Sequence, residues 1–303
     1  MVPATQRMIM AKRVTTVPGS VNRAGIFFVY TAFALVAFAG NSVLCRLALK
    51  EAAIDAVGFS AIRLVSGTVM LMLVVRVMDE RASLKPAGNW VSATLLFLYV
   101  AAFSLAYVDL EAGTGALILF GSVQATMILS GLAYGERPHL LQWMGLTLAL
   151  VGLLYLVAPD LSAPTFKGSI LMVVAGVSWG LYSLRGRGTA HPLAETTGNF
   201  IRSVPLVAGL SLIMFWNIHF STNGILLAAL SGSVTSGLGY VIWYSALKGL
   251  TTIQAATVQL LVPVLAALGG LIFLSEGLTP RLLISAMMIL GGIAQTVAGS
   301  RNL

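Results

Sequence analysis

Ten long apolar runs, separated by short polar or charged segments, dominate this 303-residue chain. Most of them approach the roughly 20 residues with which an α-helix crosses a bilayer. Charged residues make up only 9% of the chain, against roughly 25% in a soluble domain. The pattern predicts an all-α integral membrane protein whose ten transmembrane helices lie at about 25–48, 56–78, 88–107, 112–134, 138–157, 167–185, 194–216, 223–246, 251–274 and 280–299.

The distribution of basic residues predicts how these spans are oriented. A net charge of +8 is also found in nucleic-acid-binding proteins, but here the positive-inside rule explains it better. With a cytoplasmic N-terminus, twelve of the 18 Lys and Arg residues lie in inner segments, four in outer segments and two inside spans. We therefore expect a multi-pass protein of the plasma (inner) membrane with both termini in the cytoplasm. Residues 1–22 form a basic cytoplasmic tail, and no nucleic-acid partner is expected.

Two parts of the chain repeat each other at an offset of 140 residues. In each copy an apolar run leads through a glutamate, Glu136 or Glu276, into a second apolar run. A weaker echo pairs Arg63 with Arg202. The chain thus divides into a first five-span repeat over 23–160 and a second over 161–303. Because five is odd, the second copy must insert upside down, so the pattern predicts two inverted five-helix repeats, an architecture of transporters.

This organisation resembles the drug/metabolite transporter superfamily in its ten-span EamA-like branch. The resemblance covers nearly the whole chain after residue 22 and rests on the repeated hinge glutamate, the arginine of the second run, Pro263, and Gly291 with Gly292 in the last run. The chain is most similar to the YddG-type exporters of aromatic and other neutral amino acids. It departs from the family at Val123, which occupies the first-repeat position of Pro263. The resemblance implies a carrier of small metabolites that works by alternating access.

Polar and aromatic side chains near the middle of the predicted spans are the candidate substrate-binding residues, because a polar group in the membrane core is costly without a partner. Amides and hydroxyls suit the charged ends of a zwitterion, while aromatic faces cover an apolar side chain. The alternatives are interfacial anchoring or helix packing for the aromatics and hydrogen bonds between helices for the glutamines. The candidates are Asn41, Ser42, Tyr99, Gln124, Ser178, Trp179, Tyr182, Tyr240, Trp243, Tyr244, Gln254 and Gln259.

Arg63 and Arg202 carry the formal charges that lie well inside predicted spans. Burying a cation costs at least roughly 2.5–3.5 kcal/mol on insertion scales, so each arginine must reach water or a partner. One interpretation is a gate element or a contact to the carboxylate of a substrate. The other is an arginine that snorkels or bonds backbone carbonyls at a helix end.

Several kinds of site are missing from the pattern. All ten acidic residues lie at span ends or in loops, so we expect no buried carboxylate that couples transport to protons. The single cysteine and the three separate histidines show no metal-ligand spacing, and no metal or cofactor is expected. Neither a Ser/His/Asp constellation nor a Gly-rich phosphate loop indicates an enzyme, and no filter-like loop indicates a channel.

Together these features predict a secondary transporter that exports small neutral metabolites, aromatic and other neutral amino acids foremost, from the cytoplasm. The alternatives are an exporter of drugs or other metabolites on the same fold and, further from the pattern, a membrane-embedded enzyme or a channel. The expected partners are a small-molecule substrate of the neutral amino-acid class and membrane lipid. The sequence leaves the oligomeric state open, a monomer included.

Overall fold

The computed structural model describes residues 20–78, 87–133, 140–158, 163–186, 189, 191–214, 216, 219–247, 258–259 and 261–299. Apart from one backbone bridge between Ile54 and Phe220, the regular structure of these residues is helical. The helices are α1 (Ser20–Lys50), α2 (Ala56–Val77), α3 (Trp90–Ala106), α4 (Ala112–Ala133), α5 (Leu140–Val157), α6 (Phe166–Gly186), α7 (Pro192–Ile213), α8 in three contiguous segments (Thr222–Leu230, Ser231–Leu238 and Gly239–Leu247), α9 (Leu261–Leu274) and α10 (Pro280–Gly299).

The predicted all-α class is confirmed, and each of the ten predicted runs overlaps one of these helices. Four helices in the described part of the chain are long and apolar enough to cross a membrane: Phe28–Lys50, Ala56–Val77, Phe166–Gly186 and Thr222–Ala246. Five more are apolar but shorter in their described length. That all ten cross the membrane stays a prediction. Residues 1–19 of the predicted tail, the hinge residue Glu136 and the start of the ninth run lie outside the described residues.

Polar side chains at the ends of the apolar runs fix where several helices begin. The Asp55 carboxylate accepts hydrogen bonds from the Val57 and Gly58 amides at 3.0 and 2.8 Å and caps α2. Asn89 caps α3, and Ser221 caps α8 in the same way. Each cap satisfies amides that have no partner within the helix, which is why short polar segments end the apolar runs so sharply.

The helix pairs that pack together repeat in the two halves of the chain. In one set α6 lies against α3 and α4, and α1 lies correspondingly against α8 and α9. In another, α2 packs on α8 as α7 packs on α3. Three pairs, α2 with α7, α4 with α9 and α5 with α10, map onto themselves when each helix is exchanged with the one five places along. The packing therefore follows the same two-part order as the sequence repeat.

The middle of α8 widens into a π-helical stretch, Ser231–Leu238, built from small and hydroxylated residues. Gly232 makes this stretch fit against α2, because a Cβ at this position would lie 2.2 Å from the Arg63 carbonyl oxygen. Single π-helical turns inside α-helices frequently accompany functional sites. Here the wider turn directs hydroxyl groups of α8 toward α1 and α2.

Candidate functional site

Arg63, on α2, lies at the centre of the helix bundle with none of its surface exposed. Its Nε donates to the Ser236 hydroxyl at 3.0 Å, and Nη2 donates to the Tyr99 hydroxyl at 3.1 Å. The guanidinium carbon lies 5.2 Å from the ring centre of Tyr99 and 4.9 Å from that of Phe103, within the range of cation–π attraction. Nη1 is buried and has no hydrogen-bond partner among the residues that the structure describes.

No described carboxylate forms an ion pair with Arg63; the ion pair found within the described residues joins Arg46 to Glu276. A buried cation without an anion is unfavourable, because desolvation of the charge is not offset by Coulomb attraction. The N–H groups of Nη1 can donate to a carboxylate, the group whose geometry an arginine fork matches best.

Asn41, on α1, links this arginine to the π-helical stretch of α8. Its Nδ2 donates to the Tyr99 hydroxyl at 3.4 Å. Its Oδ1 accepts from the Ser231 hydroxyl at 2.5 Å and from the Thr235 hydroxyl at 3.3 Å. These bonds are buried, so they hold α1, α3 and α8 in register around the arginine.

Aromatic rings from four helices surround the same space. Trp179 of α6 packs between Tyr99 and Tyr240, with ring centres 4.9 Å from each. Phe38 meets Trp179, Tyr240 and Trp243 edge-on at 6.2, 6.1 and 5.6 Å. Rings in these offset and edge-on arrangements attract each other beyond the effect of their buried area, so they form a continuous apolar wall.

The rings enclose a cavity of about 10 Å³. This volume suits about one water molecule and is far smaller than an amino acid, so a substrate enters only if the rings move apart. We call this cavity the central cage and include in it Arg63, which lies behind Tyr99 and Phe103. The cavity is lined by Phe38, Asn41, Ser42, Tyr99, Trp179 and Tyr240, together with Phe103 and side chains of α4.

A second and larger cavity, of about 270 Å³, opens where α3 and α7 begin and α6 and α8 end. We call it the polar vestibule. Asn89, Ser92, Tyr182, Arg185, Glu195 and Tyr244 are among the residues that line it. Tyr182 separates the two cavities, because its ring packs on Trp179 of the cage with ring centres 5.6 Å apart.

The opposite end of the bundle is closed by an ion pair. Arg46 Nε lies 3.1 Å from a carboxylate oxygen of Glu276, and Arg46 Nη1 donates to the carbonyls of Tyr107 and Val108 at 2.9 Å each. The second carboxylate oxygen of Glu276 accepts from the Ala112 amide at 2.8 Å. This cluster, the ion-pair seal, joins α1 to the end of α3, the start of α4 and the end of α9.

Glu111 stands beside the seal, in the loop before α4. Its own burial and the nearby carboxylate of Glu276 raise the pKa of Glu111 above the ordinary value for a glutamate, although Arg46 and Lys50 oppose the shift. Both main causes disfavour the ionised form. Ionised Glu111 therefore opposes the closed seal, and protonated Glu111 does not.

The predicted substrate-binding residues are divided between the central cage, the polar vestibule and positions outside both. Those brought together at the central cage are Asn41, Ser42, Tyr99, Trp179 and Tyr240, with Trp243 packed on Phe38 next to them. Tyr182 and Tyr244 line the vestibule instead. Their role in binding stays a prediction.

Four predicted residues are not part of either cavity as described. Ser178 is buried on α6 beside the cage tryptophan, and Gln259 is buried just before α9. Gln124 is buried on the far side of α4, in a small apolar crevice that α5 and α10 also line, and its Nε2 has no hydrogen-bond partner in the described part of the chain. Gln254 lies outside the described residues.

The two arginines that were predicted as equivalent have different surroundings. Arg202, at the middle of α7, donates through Nη1 to the carbonyls of Ala87 and Gly198 at 2.6 and 2.9 Å. This is the carbonyl-bonding arrangement that the sequence left open as an alternative. The environment of Arg63, in contrast, is buried, aromatic and hydroxyl-rich.

Sequence reasoning missed several cage residues. Phe38 lies one helical turn before Asn41, and Phe103 lies one turn after Tyr99, so their spacing places them on the same helix faces as predicted residues. That spacing was the available signal. Ser236 and Thr235 gave no such signal, because their positions depend on the π-helical turn.

Comparison with known proteins identifies the family. The model of the EamA-like transporter family matches residues 23–158 and, a second time, residues 166–298. The chain belongs to the EamA-like transporter family. The predicted EamA-like assignment is thereby confirmed, and the protein is a multi-pass membrane transporter by family.

Relatives extend over most of this EamA-like chain. An uncharacterized protein of Pseudomonas aeruginosa is 52% identical over 88% of this chain and 93% of its own length. The threonine/homoserine exporter RhtA of Escherichia coli is 27% identical over 93% of this chain and 94% of its own. A probable amino-acid metabolite efflux pump of Escherichia coli is 25% identical over 63% and 69% of the two chains. A solved crystal structure at 17% identity covers 90% of this chain and 98% of that one with a TM-score of 0.64, which supports the fold.

Proposed function

We propose that this protein is a secondary transporter that exports small neutral amino acids, those with aromatic or other apolar side chains foremost, from the cytoplasm across the inner membrane. The observation that carries the proposal is the buried guanidinium of Arg63, which has an unpartnered nitrogen and no described anion, behind the wall of an aromatic cavity. The relatives named as exporters or efflux pumps of amino acids and their metabolites support the same substrate class.

Each part of such a substrate has a matching group in the cage. The carboxylate binds Nη1 of Arg63 once the rings of Tyr99 and Phe103 make room for it. The apolar side chain lies against Trp179 and Tyr240, and the ammonium group lies over an aromatic face. A cation without a carboxylate would leave the charge of Arg63 uncompensated and add a second positive charge, so it is a poor substrate.

Movement of the substrate would follow from alternating access between two inverted five-span halves. The double match of the family model and the matching helix pairs of the two halves support this architecture. On the topology that the basic residues favour, the vestibule faces the cytoplasm and the ion-pair seal faces outward. The structure then corresponds to a state that is closed on the outside. Acidic side chains within the described residues lie at helix ends or in loops, which fits transport without a buried proton-coupling carboxylate.

Purified protein reconstituted into liposomes tests the proposal. Liposomes loaded with an unlabelled neutral amino acid should accumulate the radiolabelled compound transiently, and this counterflow should saturate with concentration. Phenylalanine, threonine and leucine form the amino-acid panel, and a sugar and a cationic drug form the comparison. Counterflow of the sugar or the drug in place of every amino acid would contradict the substrate class, and non-saturating flux would contradict a carrier.

A further inference from the structure

The polar vestibule contains side chains of both charges that do not pair with each other. Arg185, which is exposed, donates through Nε to the Ser92 hydroxyl at 3.2 Å and through Nη2 to the Asn89 side-chain oxygen at 3.3 Å. Both acceptors are neutral. Glu195 accepts from the Gly88 amide at 3.1 Å through one carboxylate oxygen and forms no ion pair within the described residues.

This arrangement complements a zwitterion. An amino acid carries its carboxylate and its ammonium on one carbon atom, so a site that recognises both needs a cation and an anion that face the same space without pairing. Arg185 and Glu195 meet that requirement across a cavity of about 270 Å³, which is close to the lower end of the roughly 300–1,000 Å³ of small-molecule pockets. Tyr182 and Tyr244 supply aromatic surface in the same cavity.

The central cage differs from the vestibule in charge. At the cage, Arg63 provides a cation, and the described residues around it provide no carboxylate. The cage therefore recognises the carboxylate, whereas the vestibule presents a partner for each end of the zwitterion. Because the Tyr182–Trp179 ring pair stands between the two cavities, a substrate in the vestibule is selected before these rings separate.

We propose that the polar vestibule is a second binding site, one that takes zwitterionic amino acids: Arg185 holds the carboxylate, Glu195 holds the ammonium group, and the site loads the central cage. The inference rests on the proposed export function for its direction of loading, but the existence of the site does not depend on transport. In this site, Glu195 distinguishes an amino acid from the corresponding acid that lacks the amino group.

Direct binding separates the two sites. Radiolabelled phenylalanine is bound to the purified protein in detergent, in an Arg63→Met background that removes the carboxylate receptor of the cage. We expect this variant to retain one saturable site and the Arg63→Met/Glu195→Gln double variant to bind phenylalanine about fivefold more weakly, the effect of one partly exposed charge pair. The Arg63→Met/Arg76→Gln variant, which loses an exposed basic residue outside the vestibule, should bind like Arg63→Met. Absence of binding to Arg63→Met, or equal binding with and without Glu195→Gln, would overturn the vestibule site.

KM values measured separately from each side of the membrane give a second test, because a purely structural role of Glu195 would not change them on one side alone. In oriented liposomes, Glu195→Gln should raise the KM for phenylalanine about fivefold from the vestibule side and leave the KM from the seal side unchanged. The KM for 3-phenylpropionate, which lacks the ammonium group, should stay constant. An equal rise for both compounds or from both sides would contradict the assignment of Glu195. If the wild-type protein transports no amino acid, the export function fails, and the binding measurement alone decides the vestibule site.

Discussion

Replacing Arg63 by Met distinguishes a role of this arginine in substrate binding from a purely structural role. Met removes the charge and the donors but fills much of the same apolar volume. If Nη1 donates a charge-assisted hydrogen bond to the substrate carboxylate, its loss costs about 1.5–3 kcal/mol, which corresponds to a rise in KM of about 10- to 150-fold. We expect counterflow of phenylalanine in liposomes to show this rise.

The effect of the same change on folding should be small. The variant loses two hydrogen bonds, with Ser236 and Tyr99, at about 1 kcal/mol each, and cation–π contacts worth about 1 kcal/mol. It also escapes an insertion cost of about 2.5–3.5 kcal/mol for a buried arginine, so gains and losses nearly cancel. Breaking a buried ion pair would instead cost about 3–5 kcal/mol. The melting temperature in detergent, measured without substrate, should therefore stay close to that of the wild-type protein.

Two matched variants complete the test. Arg63→Lys keeps the charge but loses the fork, so its KM should fall between those of the wild type and Arg63→Met. Arg202→Met removes the equivalent arginine of the second repeat, which bonds backbone carbonyls, and should lower the melting temperature without changing the KM. Transport by Arg63→Met with the wild-type KM would contradict a substrate contact at Arg63, and so would a loss of stability as large as that from a broken buried ion pair.

Three further changes test the seal and the packing. Glu276→Gln should open the end of the bundle at the ion-pair seal, so that the single, buried Cys45 reacts faster with a membrane-impermeant maleimide. An unchanged rate would show that the ion pair does not hold the seal closed. Glu111→Gln should raise the melting temperature at pH 7, where the wild-type carboxylate opposes the seal. The difference in melting temperature between variant and wild type should shrink as the pH falls through the raised pKa of Glu111. A difference that is constant with pH would contradict this cause. Gly232→Ala should lower the melting temperature, because the added Cβ would clash with the α2 backbone. Gly209→Ala has open space around it and should be neutral or stabilising by up to about 1 kcal/mol. Equal effects of the two substitutions would contradict the close approach of α2 and α8.

The helices were predictable because bilayer thickness and backbone hydrogen bonding leave few choices for an apolar run. Polar caps such as Asp55 and Asn89 stand at the ends of these runs, and the structure begins its helices there. The composition of the cage was also partly predictable. Asn41, Tyr99 and Trp179 are rare polar or aromatic groups at mid-span, where membrane protein interiors favour apolar residues.

The remaining features depend on three-dimensional packing that a single-chain pattern does not encode. The π-helical turn of α8 rotates Ser236 toward Arg63, and no spacing rule for an α-helix predicts that contact. Helix rotation likewise carries Gln124 to the crevice by α5 and α10 and away from the cage. Arg63 is fully buried and bonds Ser236 and Tyr99, whereas Arg202 bonds backbone carbonyls, although the sequence pairs the two arginines as equivalent residues.

Competition at the wild-type protein tests most directly whether the buried arginine receives a substrate carboxylate. Counterflow of labelled phenylalanine is measured with unlabelled 3-phenylpropionate or phenethylamine added from the seal side, so that the central cage is met before the vestibule. The acid keeps the carboxylate and lacks the ammonium group, and the amine is the reverse. We expect 3-phenylpropionate to inhibit counterflow and phenethylamine to leave it unchanged. Inhibition by the amine in place of the acid would contradict this expectation.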